Sequence, residues 1–232
     1  MKTRLSYDQL YQKLKDKTTL SLSLKLNENT STYLSVTSKK QKTLRLSLHK
    51  WFLNADDKTC DAVIRYSLFR EKRALQHLKV FTHKYFVKAD QSHLLVGKKL
   101  KTQGKVYNLQ EMYERLNRRF FQSSLNLSIT WFKKPRYKNY SCITYGSYQH
   151  TLRLIRMNEI IDDEKVPFYF VEFILYHEML HAICESQVSP YGKICVHTRK
   201  FKELEKKYPF YTQAREWEKE NFQNKRRFRG WT

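Results

Sequence analysis

Apolar and polar residues alternate with period two along Thr19–Leu26 (TLSLSLKL), in TYLSVTS and in KTLRLSLHKWFL. That period sends successive side chains to opposite faces and predicts a half-buried strand in each stretch. NENT and SKKQK fall between them as turns, so a small antiparallel sheet is expected. From Asp56 the spacing lengthens to three and four: Val63, Ile64, Leu68, Leu75, Leu78 and Tyr85 share one helical side. Asp56 or Asp57 is the N-cap expected for this helix. KADQSHLLVGKKLKTQGK then reads as a lysine-rich polar connector.

The helical period returns over Val106–Phe121, where Leu109, Met112, Tyr113, Leu116 and Phe120 form the apolar stripe. LNLSITWF, SCITYGSY and TLRLIRM predict three more strands, with Gln149 and His150 at a tight turn between the last two. Pro167 suits the first turn of the next helix, where a missing N–H costs nothing. Further on, ESQVSPYGKICV is a loop, Thr198 caps a helix over TRKFKELEKKY, and Pro209 ends it. A last amphipathic helix leads to the tail NKRRFRGWT.

Two stretches echo one another. TLRLSLHKWFLNADD from Thr43 and TLRLIRMNEIIDDEK from Thr151 share a start and an order of strand, acidic turn and helix. The echo is either a degenerate half-repeat or a chance recurrence of a short tetrapeptide. Aligned without gaps, it sets Phe69, Arg70 and Arg73 at the positions of His177, Glu178 and His181.

Those last three residues lie in FYFVEFILYHEMLHAICESQ, which departs from both periods. Phe168, Phe170, Phe173, Ile174, Leu175, Leu180 and Ile183 spread around the whole helical wheel. A helix apolar on all sides is central to its domain. Burying two imidazoles and a carboxylate in it is costly unless something pairs with them.

Composition narrows the class. The 232 residues are 41% hydrophobic and 15% aromatic, with five glycines and four prolines, which fits a globular chain of one large domain or one with a smaller companion. No run reaches the ~20 apolar residues a membrane span needs, and the basic start lacks the apolar core of a signal peptide. A cytoplasmic address follows as the expectation. Cys60, Cys142, Cys184 and Cys195 form no C-x-x-C pair and read as buried thiols.

The net charge of +23 is unevenly placed. Residues 1–105 hold 23 Lys/Arg against 8 Asp/Glu, residues 106–197 hold 11 against 9, and residues 198–232 hold 11 against 5. Basic ends around a near-neutral middle suit a polyanion-binding protein, with nucleic acid (DNA) the expected partner, or a merely soluble basic one. In the tail, Lys225, Arg226, Arg227 and Arg229 interleave with Phe228 and Trp231, so phosphate contacts and base stacking are both available there.

The chemistry lies in His177-Glu178-Met179-Leu180-His181. On a helix, H-E-x-x-H sets two imidazoles one turn apart on one face, where both can hold one Zn²⁺. The glutamate beside the first can then take a proton from a zinc-bound water. A catalytic zinc needs a third protein ligand. The metzincin extension fails, because Cys184 and Gln187 stand where Gly and His belong. His197 is the leading candidate, with Glu203, Glu205 and Cys195 as rivals. Tyr145 and Tyr148 are either oxyanion donors or ordinary strand residues.

The segments GKVYNLQEMYERLNRRFFQSSLNLSITW, TLRLIRMN, HEMLH and HTRKF together resemble a SprT-like domain over residues 104–208. That resemblance implies an α+β zincin-like fold with a small antiparallel sheet over the HExxH helix. It implies zinc held by His177, His181 and His197, and Glu178 as general base. Two departures are plain: no paired-cysteine zinc ribbon follows, and Thr198 stands where a glycine commonly follows the third histidine. The expected organisation is a basic β/α region over 1–103, the SprT-like domain over 104–208, and a basic C-terminal helix and tail over 209–232. The expected function is a zinc metallopeptidase acting on protein substrates at or near DNA. The alternative is a non-catalytic nucleic-acid-binding or adaptor protein with a structural zinc.

Overall fold

The computed structural model describes residues 4–30, 32–38, 43–133, 144–189 and 193–223. By its contacts the chain divides into two compact units, Met1–Ala89 with Val188–Ile194, and Asp90–Gln187 with Cys195–Thr232. Each has its own hydrophobic core. No helix among the described residues is long and apolar enough to cross a membrane.

The first unit opens with α1 (Tyr7–Lys15), started by a capping box in which Ser6 and Gln9 satisfy each other's backbone amides. Leu10 and Leu14, four residues apart, are its buried face. Strands β1 (Ser21–Asn27), β2 (Leu34–Ser38) and β3 (Thr43–His49) follow, in the order β1-β3-β2. The expected antiparallel sheet is mixed instead: β3 runs parallel to β1 and antiparallel to β2. Alternation decides which face a side chain takes and is silent on strand direction. Here it aligns Leu22, Leu24 and Leu26 with Leu44, Leu46 and Leu48 in one leucine layer.

The long helical pattern after Asp56 is two helices. Asp56 caps α2 (Asp57–Phe69) by accepting from the Thr59 amide at 2.9 Å. Arg70 ends it in the left-handed conformation, φ 54°, and α3 (Lys72–Phe86) starts afresh.

In the second unit Asn108 accepts from the amides of Gln110 and Glu111 to start α4 (Leu109–Phe121). Then come β4 (Ser128–Phe132), β5 (Gly146–Gln149) and β6 (Leu154–Asn158), ordered β4-β6-β5. Again the last strand is parallel to the first and antiparallel to the second, so this sheet too is mixed where an antiparallel one was expected. The turn between β5 and β6 is a helical turn over His150–Leu152 closed by Arg153 at φ 50°, longer than the predicted two residues. After α5 (Phe168–Ile183) the chain forms a two-stranded ribbon of β7 (Gln187–Val188) and β8 (Ile194–Cys195), whose Val188–Ile194 part is grouped with the first unit, and continues in the second as α6 (Arg199–Glu205) and α7 (Tyr211–Glu218).

The two units thus repeat one order: a helix, three strands in the same arrangement, a 3-10 turn, and a helix. In both, the first helix packs on the first strand and on the helix that follows the sheet. The α+β expectation holds. Of the cysteines expected to be buried, Cys60 and Cys184 are, Cys195 is exposed, and Cys142 lies outside the described residues.

Asp162 ties the connector to this second sheet. Its buried carboxylate accepts from the amides of Lys105, Val106 and Tyr107 at 2.5, 3.0 and 3.0 Å. A Cβ on Gly104 would collide with the same carboxylate, so the chain turns there without a side chain. Asp162→Ala is expected to lower the free energy of unfolding by about 3 kcal/mol, since three amides lose a charged acceptor. Urea denaturation checks this; an unchanged midpoint would mean that solvent already serves those amides.

Candidate metal centre

Helix α5 explains why polar groups can lie so deep. Every residue from Phe170 to Leu180 is buried. Phe170 packs against Trp217 and Tyr145, Phe173 against Tyr208 and Tyr211, and Tyr176 against Phe120 and Tyr208. One polar clamp fixes the helix: Glu172 accepts from Arg115 of α4 at 2.8 and 2.9 Å and from the Tyr208 hydroxyl at 2.7 Å. Further along the same helix come His177 and Glu178, both buried, and the partly buried His181.

His177, His181 and His197 each bring a ring nitrogen within 4.8 Å of the others, and this is the metal-ligand cluster found among the described residues. Their ring centroids are 5.0–5.1 Å apart. His197 arrives just ahead of α6, whose N-cap, Thr198, accepts from the Phe201 amide. Phe201 then lies beneath all three imidazoles, 4.7–4.8 Å from each ring. The third histidine is thereby set by a cap and an apolar floor.

The nitrogens suit a divalent metal. Nε2 of His181 and Nε2 of His197 are 3.3 Å apart. Two imidazole nitrogens on one tetrahedral zinc, each at 2.0–2.1 Å, also stand roughly 3.3 Å apart. Burial holds the His177 ring well below its usual pKa and pushes His181 down to about 4; burial also lowers His197. Neutral imidazole is the form that ligates.

Nδ1 of His177 lies 2.6 Å from Oε1 of Glu205 in α6. A carboxylate there accepts the Nδ1 proton and leaves Nε2 as the nitrogen with which His177 can meet a metal. Glu205, a rival third ligand in the sequence, is instead the group that orients a ligand. Spacing does not distinguish these roles, because both need only a carboxylate in the helix after His197. Glu203, the other carboxylate rival, pairs with Arg199 on the surface. The Cys195 sulfur lies near the His197 carbonyl.

Glu178 is 3% exposed, and burial pushes its carboxyl up to about 8, opposed by a hydrogen bond from the Tyr148 backbone amide. A dication alongside would act in the opposite sense, favouring the carboxylate. Gly146 makes room for it: a Cβ there would lie 2.8 Å from Glu178 Cγ and Oε1. Of the tyrosines considered as oxyanion donors, Tyr145 is buried with its ring edge-on to Phe170. Tyr148 is partly buried on β5 and serves Glu178 through its backbone. Lys225, Arg226, Arg227, Arg229 and Trp231 lie outside the described residues.

Residues 109–219 match the SprT-like family. The SprT-like segment is just under half of the chain and runs from the first residue of α4 past the end of α7, so it contains the whole histidine cluster. The resemblance read in NRRFF, ITW, TLRLIRMN and HEMLH therefore holds, and it indicates a metallopeptidase-type domain. No curated protein and no solved structure matches the chain.

Glu205→Ala is expected to weaken metal binding by about 10- to 100-fold, with Glu205→Gln retaining more of it through its amide oxygen. Competition against a chromophoric chelator measures this. Equal affinities in all three proteins would remove Glu205 from the centre.

Proposed function

We propose that the SprT-like segment is a zinc-dependent metallopeptidase acting on protein substrates at or near DNA, in the cytoplasm. The observation that carries this reading is the convergence of His177, His181 and His197 next to a buried glutamate on the same helix. His177, His181 and His197 would hold the zinc, with Glu205 orienting His177. When bound, zinc supplies Lewis acidity for a carbonyl and brings the pKa of a water to about 7.

The remaining steps belong to the protein. Glu178 takes the proton of the attacking water as the bond to the carbonyl carbon forms, then delivers it to the departing amine. The Tyr148 amide fixes the carboxylate, and the bare backbone of Gly146 lets β5 lie against it. Phe201 keeps water away from the inner side of the imidazoles, which favours ligation over hydration. The basic flanks concentrate the protein on polyanions, so proteins already bound to DNA become substrates by proximity.

Purified protein is expected to carry about one zinc per chain by elemental analysis, and His197→Ala to lose it. Folded wild type free of metal would sink the site. Glu178→Gln should keep its zinc while peptide-bond cleavage falls by about 10²–10⁴-fold, the usual worth of a general base. Cleavage at the wild-type rate would remove Glu178 as the base. If wild type holds zinc and binds DNA yet cleaves no protein, a binding or adaptor role with a structural zinc replaces the enzyme.

A further inference from the structure

Residues 1–89 of the first unit lie outside the SprT-like match, and the counterpart of α5 there carries no histidine. Its α2 follows the sheet as α5 does, but is filled with Cys60, Ala62, Val63, Ile64 and Ser67 and ends at Arg70. It repeats the arrangement of the catalytic unit without its ligands, so its contribution lies elsewhere. Residues 1–89 hold 19 Lys/Arg against 7 Asp/Glu.

Helix α3 concentrates that excess. It is the only α-helix among the described residues with no acidic residue. At 100° per residue, Lys72, Arg73, Gln76, Lys79, Val80, His83 and Lys84 occupy about half of its circumference. Ala74 and Leu78 are buried on the other half, with Phe81 and Tyr85 packed against Phe52 and Trp51. Lys72, Arg73, Lys79 and Lys84 are exposed, and none forms an ion pair among the described residues. Glu71, the carboxylate at the N-cap of α3, is engaged by Arg65 at 3.6 Å. Like charges on one face repel, and no ion pair among the described residues relieves them.

We propose that this face of α3 is a nucleic-acid-binding surface that grips the phosphate backbone without reading sequence. The inference rests on the DNA-proximal reading above and locates its contact. From Lys72 to Lys84 the helix rises about 18 Å, a length over which duplex DNA presents about ten phosphates, so each cation can meet one. No Phe, Tyr or Trp lies on that half, and the His83 ring is partly buried and stacked with Phe86, so the face offers phosphate contacts more than base stacking, and double strands serve as well as single ones. An anionic membrane fits less well: surface-bound helices bury an apolar face in the lipid, and that of α3 is committed to the core.

The test uses the full chain, a fluorescent 20-base-pair DNA of arbitrary sequence, and anisotropy titrations from 50 to 200 mM KCl. Combined Lys72→Gln, Arg73→Gln, Lys79→Gln and Lys84→Gln should weaken binding at least tenfold and flatten the log K against log[salt] slope by about 3–4. Zinc content and the thermal melt should be unchanged. If the fourfold variant fails to fold, Lys79→Gln and Lys84→Gln alone should each reduce the slope by about 1. Wild-type affinity and slope in these variants overturn the proposal. If Lys225→Gln, Arg226→Gln, Arg227→Gln and Arg229→Gln together abolish binding while the α3 variant binds normally, the α3 surface falls and the DNA-proximal reading survives. If wild type binds no DNA, both fall. Binding to phosphatidylserine vesicles and not to DNA also overturns the proposal.

Discussion

The structure turns on the requirement that three polar side chains be kept in the middle of a helix that has no polar face. An imidazole or carboxylate in apolar surroundings is stable only when its nitrogens and oxygens are answered. In α5 each answer comes from a different element. Glu205 of α6 meets His177, the Tyr148 amide of β5 meets Glu178, and the loop ahead of α6 brings His197 up to His181. The aromatic packing of Phe170, Phe173 and Tyr176 and the Glu172 clamp keep the helix from rotating away from them. Fold and centre are therefore a single constraint, with the grease fixing the geometry that the ligands need.

Much of this was legible beforehand. Caps at Asp56 and Thr198, strands over the alternating runs, and the helix over Leu109–Phe121 follow from local chemistry that acts within a few residues. Strand direction did not follow, because a period of two is the same read forwards or backwards. The break at Arg70 was also hidden, since a left-handed arginine leaves no compositional mark where glycine would. At the centre, the two α5 histidines follow from helical spacing alone, and His197 from its place ahead of the next helix together with the resemblance. Glu205 was noticed for the wrong role, because its partner lies 28 residues away and only the fold brings the two together. Gly146 carried no signal at all; its reason is the carboxylate that presses on it.

The echo between Thr43 and Thr151 has a physical counterpart in the shared order of helix, strands and helix. The correspondence is of arrangement and not of chemistry. Where α5 is buried all round and holds polar ligands, α2 buries a plain stripe, and α3 presents cations. A common scaffold thus supports two surfaces with opposite electrostatic demands, one near neutral and dehydrated, one strongly positive and wet.

Separate cores have a thermodynamic consequence. A ligand stabilises only the cooperative unit that binds it. A metal at the histidine cluster would therefore stabilise first the core built around α5, which shares no residue with the leucine-layered core of the other unit.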